Sequence, residues 1–169
     1  GGAEGQRRGV RQRPGAAVTD RAAVGRRSRN KGAAFERLVV NMIKGAWPDV
    51  DVRRGKQSHL ADEPDVVVTA ADVRGDLWIE CQHANAPSPA SKMDQARRDS
   101  ERADDTPLSE TRVPVVVWRR TGARAILATT SLTILVWLIH GDMRAGAGDV
   151  LVTVDLADLL SALAVPVPG

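Results

Sequence analysis

The amino-acid sequence predicts an α/β domain with a mixed central sheet flanked by helices, and three observations carry that expectation. Short β-branched or apolar runs bounded by turn and polar residues recur at Pro64 to Val68, Leu77 to Gln82 and Val113 to Arg120, the pattern of buried strands. The last of these is almost continuously apolar, which requires cover on both faces and therefore helices on each side of the sheet. Apolar residues at helical spacing supply such a helix over Lys31 to Ala46.

Taken in order, residues 1–28 are rich in Gly, Arg and Ala without an apolar period. They bury too little to offset the entropy of ordering and are expected to form a mobile basic arm. Residues 1–31 hold nine basic residues against Glu4 and Asp20, a local charge of +7 in a chain whose total is +3, which leaves −4 on the remainder. Such an arm either pairs with phosphates and releases counterions, or is a solvated leader. The first helix follows, with Ala34, Leu38, Val39, Met42, Ile43 and Ala46 on its apolar side and Trp47-Pro48 as its stop. Val50 to Arg54 alternates as a strand with a partly basic polar face, and Gly55 to His59 reads as a loop.

Asp62-Glu63-Pro64 leads into the second strand, where proline is tolerated at the start, and Val73 to Asp76 turns into the third. Ala84 to Ala90 is a Pro-broken connection to a half-exposed helix over Ser91 to Asp99, with Ser91 as its N-cap. An acidic loop over residues 104–112 precedes the strand from Val113, and Arg124 to Thr130 returns as another. Ser131 to Ile139 reads as a short apolar helix or a strand. After the Gly141 to Gly148 link, Asp155 caps a helix over Leu156 to Leu163 in a second strand-cap-helix unit. That unit either closes the sheet or forms part of a dimer surface. The organisation expected is an arm over 1–28, a core of four or five strands over 29–140 and an extension over 141–169.

Composition narrows the class. Hydrophobic residues at 43% and charged residues at 27% are ordinary globular values. The longest apolar run, Leu132 to Ile139, falls short of the roughly 20 residues that span a bilayer. The Arg-rich N-terminus lacks the apolar region of a secretory signal, and Cys81 has no second cysteine to bond. A cytoplasmic protein without a membrane partner is expected. Cys81 with His59 and His83 lacks the second ligand pair of a zinc site.

Strand alternation places Trp78, Glu80 and Gln82 on one face and Ile79 and Cys81 on the other. Pairing of the second and third strands around their turn brings Asp65 towards Glu80. Two carboxylates and a polar neighbour suit a hard divalent cation, which takes oxygen ligands and keeps several waters. The plainer alternative is that both acids cap strand ends beside basic residues, although a carboxylate inside an apolar run needs some partner.

Pro64-Asp65, Glu80-Cys81-Gln82 and the upstream Asn30 to Arg37 stretch resemble the PD-(D/E)xK nucleases, in an order similar to archaeal and phage Holliday junction resolvases. The resemblance covers roughly residues 29–140. It implies a restriction-endonuclease-like core and a metal-dependent endonuclease hydrolysing phosphodiester bonds of branched DNA, with Mg²⁺, or Mn²⁺ in its place, and a homodimer. It further implies Glu36, Asp65, Glu80 and Gln82 as the catalytic set and Asp65, Glu80 and Cys81 as the metal set. Arg29, Lys31, Arg54, Lys56, Ser58 and Lys92 are the implied DNA contacts.

One position departs from the family. Gln82 stands where a lysine is usual; it can orient a water by hydrogen bonding but brings no positive charge. The family leaves three outcomes open: an active glutamine, a lysine supplied from the next helix, or lost activity. Lys92 and Lys56 are the candidate substitutes, and Gln95-Ala96 is similar to a Gln-Ala often found in that helix. A silent structure-selective DNA-binding module and a repair or restriction-type nuclease remain as alternatives.

Overall fold

A computed structural model of the chain describes residues 16–56, 63–69, 77–102, 112–140 and 150–164. Residues 1–15, Ser58, His59, the Val73 to Asp76 turn and most of the acidic loop lie outside them. Ten elements follow in chain order: α1 (Ala16–Ala46), β1 (Asp51–Arg54), β2 (Val66–Thr69), β3 (Leu77–Ala84), α2 (Pro89–Arg102), β4 (Val113–Arg120), β5 (Leu127–Ser131), α3 (Leu132–His140), β6 (Leu151–Asp155) and α4 (Leu156–Ala164). The strands make one mixed sheet in sequence order, β1 to β6. Only β3 and β4 run parallel, joined through α2; the other neighbours are antiparallel.

Both faces are covered, as the apolar run of β4 requires. Val113, Val115 and Val117 join Val52, Val66, Val68, Ile79 and Ala128 in the larger core, under Phe35, Val39 and Ile43 of α1 and Leu156, Leu159 and Leu160 of α4. Phe35, Val39 and Ile43 recur every four residues, so one stripe of α1 is completely enclosed. On the opposite face Val116 and Trp78 meet Met93 and Ala96 of α2. Strand alternation thus sorts neighbouring residues of β3 and β4 between two cores.

Three expectations change. The arm expected to be mobile over 1–28 is helical from Ala16, continuous with the packed helix through Ala46. Ala and Arg are strong helix formers, and a helix already nucleated on a core extends at little cost. The sheet has six strands, because β6 pairs along β5 from Leu127 with Asp155 to Ser131 with Leu151. The C-terminal unit therefore closes the sheet, and Trp47 Nε1 donates to the Leu160 carbonyl at 3.2 Å to tie α1 to α4. Finally, α2 begins at Pro89 rather than Ser91, with Lys92 N–H bonded to the Ser88 carbonyl at 3.0 Å. Proline is suited to the first helical position because its missing N–H has no helical partner there.

The strand-cap-helix echo is real: Ser131 Oγ accepts from Ile134 N–H at 3.2 Å, and Asp155 Oδ1 from Ala157 N–H at 2.8 Å. Among the described residues no helix is long and apolar enough to cross a membrane.

Candidate active site

The site begins with a change in backbone pairing. β2 and β3 pair at Val66 and Ile79, and one residue outward the Asp65 side chain replaces the ladder, its Oδ2 accepting the Cys81 N–H at 2.8 Å. The Asp65 carbonyl accepts the Gly55 N–H at 2.9 Å, drawing the end of β1 against the Pro64 to Asp65 backbone. A Cβ at Gly55 would stand 1.9 Å from the Pro64 carbonyl oxygen, so only glycine fits that approach.

A cavity of about 250 Å³ opens at this point. Glu36 of α1 lines it from one layer, Asp65 and Glu80 from the sheet, and Lys92, Gln95 and Asp99 of α2 from the other layer, with Gly55, Lys56, Glu63 and Pro64 at the β1 to β2 connection. Lys92, Gln95 and Asp99 follow at helical spacing on one face of α2.

Glu80 is the most constrained carboxylate of the set. It is 6% exposed, with Oε1 accepting the Trp78 indole N–H at 3.1 Å and Oε2 paired with Lys92 Nζ at 2.7 Å. Burial, followed by the charge of Asp65, pushes its pKa up to about 6 against the opposing pull of Lys92. Lys92 is also raised: burial works against its charge, but its bond to Glu80 and the charges of Glu80, Asp65 and Asp99 outweigh it. A hydrogen-bonded line then runs along α2, from Lys92 Nζ to Gln95 Oε1 at 3.4 Å and from Gln95 Nε2 to Asp99 Oδ2 at 3.2 Å.

The flanking acids are held by arginines. Arg54 donates from Nε to Glu36 Oε2 at 2.8 Å and from Nη2 to the same oxygen. Glu63 takes a two-pronged contact from Arg53 at 2.9 and 3.2 Å and accepts the Lys56 N–H at 2.8 Å. Those bonds, Arg53 first, hold the Glu63 carboxyl down at about 2.

Five of the sequence-predicted residues therefore meet at one cavity: Glu36, Asp65, Glu80, Lys56 and Lys92. Others do not. Gln82 does not line it; its Oε1 accepts the Ser88 N–H at 2.9 Å, satisfying backbone at the entry to α2. The Cys81 side chain packs against the larger core, and burial raises its thiol well above the ordinary value. Its contribution is the amide that holds Asp65. Arg54 is committed to Glu36 rather than facing outward, Lys31 Nζ bonds Thr121 Oγ1, and Arg29 is exposed on α1. Ser58 lies outside the described residues.

Among the described residues no group of three or more His, Cys, Asp and Glu side chains is placed to hold a metal ion. Glu36 shares the cavity but is turned to Arg54, leaving Asp65 and Glu80 as the close pair. Sequence reading missed Asp99 and the Trp78 indole. Asp99 could have been found from its position seven residues after Lys92, two helical turns along one face. No protein-family model matches the chain, and no curated protein or solved structure matches it.

Proposed function

We propose that this protein is a metal-dependent DNA endonuclease acting on branched DNA such as a four-way junction. The observation that carries the reading is the Asp65 and Glu80 carboxylate pair at one open cavity, with the Lys92 ammonium in contact with Glu80 at 2.7 Å. The donor chemistry fits a hard divalent cation. Two carboxylates crowd together, and burial and that neighbour raise the pKa of Glu80 to about 6, a penalty that a cation between them would relieve. Asp65 and Glu80 would hold Mg²⁺ or Mn²⁺, with the remaining positions taken by water and substrate oxygens. The cation supplies Lewis acidity and charge neutralisation at the phosphodiester.

The chain's own residues do the rest. Trp78 and the Cys81 amide fix the two carboxylates before substrate arrives, so their orientation costs nothing at the moment of reaction. Lys92 supplies from α2 the positive charge that Gln82 lacks, placed to stabilise negative charge developing on phosphate oxygens. Gln95 steadies the ammonium from the same helix face. Lys56 adds a second cation at the cavity rim. Two symmetric nicks in a junction require two such sites, which a two-fold homodimer provides.

Incubation of a labelled four-way junction with the protein and Mg²⁺ is expected to give nicked arms, and Asp65→Ala and Glu80→Ala to abolish them. Retained cleavage in both variants rejects the assignment. Linear duplex in a parallel reaction separates a repair or restriction-type nuclease from a junction enzyme. A second reading, a silent DNA-binding module, is favoured by one observation: Glu36 and Glu80 already carry internal cations, Arg54 and Lys92. It predicts junction binding without cleavage at any Mg²⁺ or Mn²⁺ concentration.

A further inference from the structure

At the end of the sheet beyond the cavity, four segments converge. Lys31 Nζ of α1 bonds Thr121 Oγ1 in the turn after β4, and Thr121 N–H bonds the Ala84 carbonyl at the end of β3 at 2.8 Å. Gly122, at φ +85°, makes that turn tight enough to bring Arg120 and Arg124 close along the chain. Arg119 stacks over Phe35 at 5.3 Å, and the Phe35 ring meets His83 at the same centroid distance. Residues 21–35 and 112–131 contain no aspartate or glutamate, so the cations gathered there are opposed by no acid from those segments. The local field is felt by His83, whose pKa is lowered by burial and then by Lys31 and Arg119. Arg120 and Arg124 are exposed.

We propose that this surface, formed by Lys31, Arg119, Arg120 and Arg124, docks the sugar-phosphate backbone of the DNA whose scissile bond reaches the cavity; it rests on the endonuclease reading. Continuity with the site selects this partner. Glu80 and Ala84 lie on the same strand, and four residues of β3 rise about 13 Å. That is about four steps of a duplex at roughly 3.4 Å each, so one strand held at the turn passes the carboxylate pair. The patch is basic, and the guanidinium groups suit paired contacts to phosphate oxygens. Such contacts carry no base specificity, so they position DNA without choosing its sequence.

The test is fluorescence anisotropy of a labelled four-way junction in EDTA, across a range of KCl, with wild type, Arg120→Gln/Arg124→Gln and the control Arg98→Gln, exposed on α2. Removing two phosphate contacts is expected to reduce the slope of log K against log salt by about 1.8, and to weaken low-salt binding at least about tenfold. Arg98→Gln should bind as wild type. Circular dichroism melting of the double variant checks that it folds, and Arg120→Lys/Arg124→Lys, which keeps the charge, should restore most of the affinity. An unchanged slope in the folded double variant, or preference of wild type for anionic phospholipid vesicles over DNA, overturns the proposal. Binding is read without metal, so failure here leaves cleavage by Asp65 and Glu80 standing, and loss of cleavage leaves the patch standing.

Discussion

Lys92 is the sharpest place to perturb the site, because two opposite effects follow from one substitution. Its Nζ lies 2.7 Å from Glu80 Oε2, and the two side chains are 19% and 8% exposed. At an effective dielectric constant of about 20, unit charges at that distance attract by roughly 6 kcal/mol before desolvation is subtracted. Lys92→Met keeps the length of the side chain and removes the charge, leaving a buried carboxylate beside Asp65. Removing one partner of such a pair destabilises by about 3–5 kcal/mol while the survivor stays charged. The folded pKa of Glu80 is already raised to about 6, so ionised Glu80 subtracts stability. That loss is absent below the unfolded value near 4.5, develops as pH rises and is complete above the folded pKa. In Lys92→Met the folded pKa rises further, so the deficit against wild type should be small near pH 4.5 and grow towards pH 8. Divalent cation should reverse it, because Mn²⁺ no longer competes with an internal ammonium. Urea denaturation at both pH values, with Mn²⁺ titration calorimetry, reads all three consequences. A binding constant at least about tenfold tighter than wild type is expected, alongside loss of nicking. Equal or weaker Mn²⁺ binding with a deficit that does not change with pH would refute the reasoning.

Other substitutions probe the surroundings. Gly55→Ala places a methyl 1.9 Å from the Pro64 carbonyl oxygen and must push β1 from β2; a loss of several kcal/mol by urea denaturation is expected, and a wild-type midpoint would show that the approach is soft. Gln82→Lys, which introduces the residue usual at this place in the nucleases that the sequence resembles, removes the acceptor for Ser88 N–H and should cost about 1 kcal/mol without raising nicking, because position 82 does not line the cavity. Glu63, held down at about 2 chiefly by Arg53, should keep its charge as pH falls through 4.5; its favourable contribution is lost only on further acidification through the folded pKa, and the carboxyl carbon shift against pH reports that midpoint. Ile43→Ala, beneath the sheet and fully enclosed, should destabilise by about 2–5 kcal/mol.

Much of the fold was legible because its signals were local. Alternation in β3 and the unbroken apolar run of β4 state which faces are covered, and both cores are sorted as that pattern implies. Pairing of Asp65 with Glu80 followed from two adjacent strands and a short turn. What remained hidden depends on partners distant in sequence. Membership of β6 in the sheet requires its pairing with β5, which periodicity alone leaves open. Commitment of Glu36 to Arg54 depends on α1 crossing the end of β1, 18 residues away along the chain. The helix at Ala16 misled for a different reason: an exposed Ala and Arg segment lacks the apolar signature of packing, yet it needs only intrinsic propensity once its neighbour is anchored.

The same contrast bears on position 82, where the nucleases that the sequence resembles usually have lysine. Lys92, twelve places after Glu80 and on a helix, reaches the cavity because α2 lies flat on β3 and β4 through Met93 and Ala96, whereas Gln82, two places after Glu80 on the strand, does not line it. Lys92 and Met93 are consecutive, so docking Met93 in the smaller core also sets the height of Lys92 above the sheet. Glu80 is likewise fixed by its neighbour two residues back, Trp78, whose ring lies in that core while its N–H holds the carboxylate. Thus both members of the ion pair are positioned from one cluster, and Asp65 from another through Val66 and the edge of β2. The cavity lies where these two separately packed bodies meet, so a substitution in the smaller core can move Lys92 and Glu80 together relative to Asp65 without altering the pair itself.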